Sequence, residues 1–174
     1  MKALKLVLFM IPVLLILQSS RCKVTYGQKG GQKTLPDTAT IIVEQFTNSA
    51  PLAKPTLPQT MTESLRDFIQ RQTNYAIVTE DADVTFEGEI IGYAVSPVAI
   101  AAGATDQAAL NRLTITVKVK YTNKFDELTN FESNFSRFSD FPSTQDISVV
   151  EDQLIKEITD QITQDIINKS IYAW

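Results

Sequence analysis

From Leu110 to Asn123 the chain alternates with period two. Leu113, Ile115, Val117, Val119 and Tyr121 share one parity, and Thr114, Thr116, Lys118, Lys120 and Thr122 share the other. At about 100° per residue a helix would scatter those apolar positions round its cylinder, so the segment predicts a strand. A long strand with one wet face belongs in an antiparallel sheet whose other face is covered. Two segments with helical spacing supply the cover. In Pro58 to Gln70, Met61, Leu65, Phe68 and Ile69 fall on one stripe, and Thr60 with Glu63 has capping-box spacing. In Ser148 to Lys169, Ser148 and Glu151 form a second capping box. Val150, Leu154, Ile158, Ile162 and Ile166 follow at spacing four, widened by Ile155 and Ile167, with Asp152, Lys156, Asp160 and Gln164 on the wet side.

The remaining strands read less cleanly. Thr40 to Phe46 is rich in β-branched residues, and the run Ile41-Ile42-Val43 predicts cover on more than one side. Pro51, Pro55 and Pro58 keep Asn48 to Pro58 out of regular structure. Asn74 to Thr79 is a candidate short strand and Asp81-Ala82-Asp83 a turn. Val84 to Val95 is a second long strand, with Val84, Phe86 and Ile90 facing the core and Thr85, Glu87 and Glu89 facing out. Gly88 and Gly92 within it mark bulges or close approach. Pairing it with the central strand across the small-residue loop Ser96 to Ala109 sets Glu87 opposite Lys120, Glu89 opposite Lys118 and Phe86 opposite Tyr121. After a tight turn at Asn123 to Asp126, a fourth strand covers about Leu128 to Phe138. Its irregular Phe131, Phe135, Phe138 spacing predicts a bulge. The fold class is an α/β two-layer sandwich: about four mostly antiparallel strands, covered on one face by two helices, in the order β-α-β-β-β-α.

Composition narrows the chemistry. A chain of 174 residues, 44% hydrophobic and 21% charged, is long enough for one domain with its own core. A net charge of −4 is the wrong sign for nucleic acid. The chain has no histidine, which removes Ser-His-Asp and Cys-His catalysis and imidazole metal sites, and its single cysteine excludes an intrachain disulfide. No nucleotide loop, zinc spacing or internal repeat is present. No cofactor and no metal site is expected.

The N-terminus changes the picture. Lys2 and Lys5 precede an apolar run from Leu6 to Leu17, interrupted by Pro12, roughly 12 residues against the ~20 that span a bilayer. Residues 1–21 therefore read as an export signal. Cys22 stands where that signal would be cleaved, the acceptor position of a bacterial lipoprotein, although Arg21 occupies the place where a small residue is usual. Residues 22–38, with Gly27, Gly30 and Gly31, read as a lipidated N-terminus and flexible tether, and residues 39–174 as a single α/β domain.

Candidate sites are few. Asp81, Asp83, Glu87 and Glu89 resemble an acid/base set only in composition, because two lie at a turn and two on a wet strand face opposite lysines. Lys118 and Lys120, with Arg112 on the same parity, make a basic stripe across the open sheet face. Pro97, Val98 and Ile100 place apolar side chains in a loop that would otherwise be polar. The closing Tyr172-Ala173-Trp174 follows a helix, so packing or interface contact is its expected role.

Several stretches resemble one family. Cys22-Lys23-Val24-Thr25-Tyr26-Gly27 and Thr40-Ile-Ile-Val-Glu-Gln-Phe-Thr-Asn48 are similar to the opening of the lipopolysaccharide-assembly lipoproteins (LptE) in their Bacteroidetes form. Phe86-Glu-Gly-Glu-Ile-Ile-Gly-Tyr93, Ser96-Pro97-Val98 and Asn111-Arg-Leu-Thr-Ile-Thr-Val117 continue the likeness through nearly the whole mature chain. The resemblance implies a non-enzymatic lipoprotein, lipid-anchored through Cys22 at the periplasmic face of the cell outer membrane. It implies two partners, lipopolysaccharide and the translocon barrel that inserts it, whose lumen such proteins plug and whose assembly they assist. Its fold, two helices on one face of a four-stranded sheet, agrees with the periodicity. In enterobacterial relatives basic residues in the loops before the central strand and before the last helix carry lipid binding. Here Ser96 to Ala109 and Ser139 to Ser148 contain neither Lys nor Arg, and only Arg112 and Arg137 border them. Candidate contacts for the barrel or lipopolysaccharide are therefore Pro97, Val98, Ile100, Arg112, Lys118 and Lys120. The alternative reading is a free-standing periplasmic binding or peptidoglycan-synthase-activating lipoprotein of similar fold.

Overall fold

The computed structural model of the protein describes residues 35, 36, 38–98 and 109–172. Cys22, Ile100, the tip of the 98–109 connection and Trp174 lie outside the described residues. Among the described residues six strands form one sheet. In chain order the elements are β1 (Thr40–Val43), β2 (Thr47–Asn48), α1 (Leu57–Gln72), β3 (Ala76–Ile77), β4 (Val84–Val98), β5 (Leu110–Asn123), a 3-10 turn (Glu127–Thr129), β6 (Phe131–Pro142) and α2 (Ile147–Ser170). The sheet order is β3-β1-β4-β5-β6, with β2 also paired to β4.

The central strand is as its period requires. Leu113, Ile115, Val117 and Val119 are fully buried and Tyr121 nearly so, facing α1 and α2. Met61, Leu65 and Ile69 of α1 and Leu154, Ile155, Ile158, Ile162, Ile166 and Ile167 of α2 close the same core. Phe68 and Val150 pack at its margin, as does Tyr172. The two helices meet through polar contacts, Ser64 Oγ lying 3.2 Å from Thr163 Oγ1.

The sheet is mixed, which corrects the expectation of four mostly antiparallel strands. β1 pairs parallel with both β4 and β3, and β2 pairs parallel with β4. A parallel neighbour needs a crossover, and α1 supplies it between β1 and β3. Strands of two residues carry no readable period, so β2 and β3 left only a faint sequence trace. The run Ile41-Ile42-Val43 does not mean cover on both faces. Its burial alternates, with Ile41 and Val43 buried and Ile42 half-buried on the open side.

Both capping boxes are also corrected. α1 begins at Leu57 after Thr56, with proline in its first turn and no side-chain cap; the Thr60 hydroxyl donates to the Thr56 carbonyl instead. α2 begins one turn-position earlier than Ser148, because Asp146 accepts from the Ser148 amide at 2.9 Å and from its hydroxyl at 2.7 Å. Aspartate is as strong an N-cap as serine, and Glu151 is drawn away to the hydroxyl of Tyr93 at 2.5 Å.

The bulge expected in β6 is absent, while the one expected at Gly92 of β4 is present. β6 pairs with β5 in unbroken register from Tyr121–Phe131 to Leu110–Pro142. Phe131, Phe135 and Phe141 face the core, while Phe138 faces the other way and is 47% exposed, so the irregular aromatic spacing records two faces. The register shift lies in β4, between Ile90 and Gly92. β4 then continues past Val95 to Val98, including Pro97. Beyond Ile90 its far side has no strand partner among the described residues, and such an edge tolerates proline.

Candidate functional site, the open face of the sheet

α1 and α2 cover one side of the sheet, so the alternate residues of β4, β5 and β6 form a second, open face. The register on that face is the one expected: Glu87 opposite Lys120 and Glu89 opposite Lys118, with Phe86 opposite Tyr121 on the buried side. β6 adds Glu132, Asn134, Ser136, Phe138 and Asp140 across from Lys120, Lys118, Thr116, Thr114 and Arg112.

At one end the charges are paired. Lys120 Nζ lies 2.7 Å from Glu87 Oε1, and Lys118 Nζ lies 2.5 Å from Glu132 Oε1. Both ammonium groups are held above the ordinary lysine range by these hydrogen bonds, and Glu132 is held below the carboxylate range by the bond from Lys118. Glu89 accepts from the Ser49 hydroxyl. A shallow groove of about 400 Å³ runs here, and its charged lining is Glu44, Glu87, Glu89 and Glu132 against Lys118 and Lys120. Four carboxylates outnumber two ammonium groups. The stripe that looks basic along β5 alone is therefore part of a net acidic patch.

At the other end Arg112 is paired and stacked. Its Nε and Nη2 fork onto the two oxygens of Asp140 at 2.7 and 2.9 Å, and its guanidinium lies 3.6 Å from the centre of the Phe138 ring. The fork holds Asp140 below the usual carboxylate range and satisfies the planar geometry that suits arginine. Between the ends, the Thr116 and Ser136 hydroxyls meet at 2.9 Å. Val98 is half-buried opposite Leu110, and exposed Pro97 stands opposite Asn111. Both sit in strand rather than loop. Ile100 lies outside the described residues.

The structure thus gathers Val98 and Arg112 at the hairpin end and Lys118 with Lys120 in the groove. Six residues of strand, about 20 Å, separate the two groups, so they are not one site. Sequence reasoning missed Asp140, Phe138 and Glu132. Their signal is the even parity of β6, which the expected bulge in that strand obscures. The other carboxylates serve structure. Asp83 accepts from the Thr40 amide and hydroxyl at 2.9 and 2.8 Å, and Asp81 pairs with Lys124 at 3.3 Å. Asp81 holds a left-handed backbone, φ 49°, which aspartate tolerates better than most residues. Among the described residues no group of Cys, Asp or Glu is arranged to hold a metal ion, and no helix is long and apolar enough to cross a membrane.

An open, charge-paired sheet face backed by two helices defines a two-layer protein of α/β class. The family model for LptE, lipopolysaccharide assembly, matches residues 38–170. The chain belongs to that family, which is one of non-enzymatic lipopolysaccharide-assembly proteins. No curated protein matches its sequence. Among solved structures it is similar to a protein from Xanthomonas campestris, at 9% identity and TM-score 0.55, covering 83% of this chain and 90% of that one. It is similar to a hypothetical protein from Chlamydia trachomatis at 9% identity and TM-score 0.50, covering 76% and 95%. A minor lipoprotein from Acinetobacter baumannii matches at 10% identity and TM-score 0.48, covering 75% and 91%. For the first two, likeness at these identities speaks to the fold alone.

Proposed function

We propose that the mature chain is an outer-membrane lipoprotein, acylated at Cys22 and held at the periplasmic face. There it seats in the lumen of the lipopolysaccharide translocon barrel, assists its assembly and helps pass lipopolysaccharide to the outer leaflet. The observation that carries this reading is the extent of the family match. Residues 38–170 run from before β1 to the last turn of α2, so the likeness spans the folded unit.

The open face supports it. A surface of paired charges, Lys118 with Glu132, Lys120 with Glu87 and Arg112 with Asp140, suits the polar, wet interior of a large barrel better than a lipid or apolar surface. The candidate contacts on this reading are Pro97, Val98, Ile100 and Arg112 at the hairpin end and Lys118 and Lys120 in the groove. The test is an affinity pull-down of the tagged chain from detergent-solubilised envelopes. A large β-barrel protein and lipopolysaccharide are expected to co-purify. A tagged chain that is acylated, folded and recovered without a barrel overturns the plug reading.

A further inference from the structure

The loop joining β5 to β6 holds two apolar side chains out in water. Leu128 is 96% exposed and Phe125 is 53% exposed. The loop is firmly built. Asn123, fully buried, accepts from the Phe125 amide at 2.9 Å and donates from Nδ2 to the Thr129 hydroxyl at 3.1 Å. Asn130 Oδ1 takes the Asn123 amide at 2.6 Å, and Asp126 takes the Leu128 amide at 3.1 Å while its carbonyl takes the Thr129 hydroxyl at 2.7 Å. These bonds hold the 3-10 turn, from which Leu128 projects into solvent.

The chain enters the fold at the same end of the sheet. The Lys124 amide donates to the Asp83 carbonyl at 2.9 Å, and the Asp83 amide donates to the Thr40 carbonyl at 3.1 Å. The first residue of β1 and the first residue of the loop are thus tied to the same aspartate. Just upstream, Leu35 is buried and its carbonyl accepts from the Tyr75 hydroxyl at 3.3 Å. Cys22 stands 13 positions before Leu35, a reach of at most about 45 Å. Among the described residues the other strongly exposed aliphatics lie at the far end. Val149 is in the first turn of α2, and Leu52 precedes Lys54, which pairs with Asp152 there.

We infer that Phe125 and Leu128 dip into the surface of the bilayer that holds Cys22, so that the chain-entry end of the domain stays at the membrane surface, below the barrel lumen that takes its hairpin end. This rests on the reading of Cys22 as the anchor. The occupant is a zwitterionic phospholipid surface. Lys124 is the loop's cation and is paired with Asp81, while Glu80, Asp126 and Glu127 add negative charge around it, which disfavours anionic headgroups. Two apolar side chains beside a tether are the pattern of a second, weak membrane signal that supplements acylation.

The experiment uses the chain purified from cell envelopes, with its N-terminal mass reporting acylation. Because Cys22 is the sole cysteine, Leu128→Cys, Val149→Cys and Leu52→Cys each give one new thiol for a polarity-sensitive fluorophore. In phosphatidylcholine vesicles the label at 128 is expected to shift to the blue and become shielded from iodide, with the labels at 149 and 52 still open to it. Equal iodide access at 128 and 149 in the acylated chain overturns the inference and leaves the anchor standing. If the mass shows no acyl chain, the anchor reading falls, and vesicle flotation tests the loop alone. Phe125→Ser/Leu128→Ser is then expected to lower the partition coefficient at least about tenfold; an unchanged coefficient overturns the loop as well. Substituting phosphatidylglycerol for phosphatidylcholine is expected to weaken partitioning, and a marked gain overturns the zwitterionic assignment.

Discussion

The ring of Phe46 fills the space that a side chain on Gly88 would need: a Cβ built at 88 would stand 2.1 Å from the ring edge. Gly88 sits between buried Phe86 and Ile90 on the core side of β4. Phe46 is itself tied to α1, its amide donating to the Thr62 hydroxyl at 3.0 Å. The next residue, Thr47, opens β2 beside Glu89. The glycine is therefore the opening through which the parallel edge of the sheet and α1 lock together.

Gly88→Ala should destabilise the domain by about 1–3 kcal/mol or more, since the ring is buried and held on both sides. Gly92→Ala should cost less. Its Cβ would meet Thr116 Cβ at 3.2 Å, on the open face where that side chain can give way. Urea denaturation of the two variants checks the order, and a larger loss at 92 would place the tight contact wrongly.

Val117→Asp should be far worse than Thr116→Asp. Val117 is fully buried between sheet and helices, and an unpaired carboxylate there costs several kcal/mol, comparable to a whole domain's stability. Thr116 faces out and loses only its contact with the Ser136 hydroxyl. Circular dichroism melts of both proteins decide it; equal losses would mean that the strand's faces are assigned the wrong way round.

How much of this was legible depends on where the information lies. The period of β5 and the charge match of Glu87 and Glu89 with Lys120 and Lys118 are local to two long strands, and both faces and register followed from them. The parallel pairing at the edge was not readable, because β2 and β3 are two residues each and nothing in so short a run fixes its direction beside β4 or β1. The cap of α2 was missed because two candidates stand within three residues and Asp146 prevails over Ser148, whereas α1 has no side-chain cap at all. The setting of the candidate contacts was hidden for a related reason. A strand read alone shows only its own charges, and the meaning of Arg112 and Lys118 was decided by Asp140 and Glu132 on a neighbouring strand whose parity had been misjudged.

Acid should unfold this protein through its carboxylates. Asp83, held by the Thr40 amide and hydroxyl, Asp146, held by Ser148, and Asp140, held by Arg112, all have lowered folded-state values. A carboxylate depressed in the folded state contributes stability that is present above its unfolded value near 4 and is lost as pH falls through the folded value. The melting temperature should therefore fall off below about pH 4, where the unfolded chain takes up protons first. With no histidine in the sequence, no step from imidazole is expected between pH 6 and 7. Asp83→Asn should show a shallower acid fall than wild type in the same melts. An equally steep fall would remove Asp83 from the account.

The open face offers two candidate working surfaces, and charge pairing separates them. At the hairpin end Arg112 keeps its guanidinium stacked on Phe138 and forked onto Asp140, so an anionic phosphate would have to compete with a carboxylate for a preformed fork. In the groove Lys118 and Lys120 are already outnumbered by carboxylates, which repel a phosphate before it arrives. Arg112→Ala should then lower lipopolysaccharide capture several-fold, and Arg112→Lys should not restore it, because an ammonium group can neither fork nor stack as guanidinium does. Lys118→Ala/Lys120→Ala should change capture less. Val98→Ser/Ile100→Ser, which leaves every charge in place, should weaken co-purification of the barrel more than lipopolysaccharide capture. All of these positions but Ile100 are described, and none of those is fully buried, so melts on the same preparations should stay near wild type. If Arg112→Ala captures lipopolysaccharide as wild type does while the lysine pair variant loses it, the groove is the working end and the arginine fork serves only to tie β5 to β6.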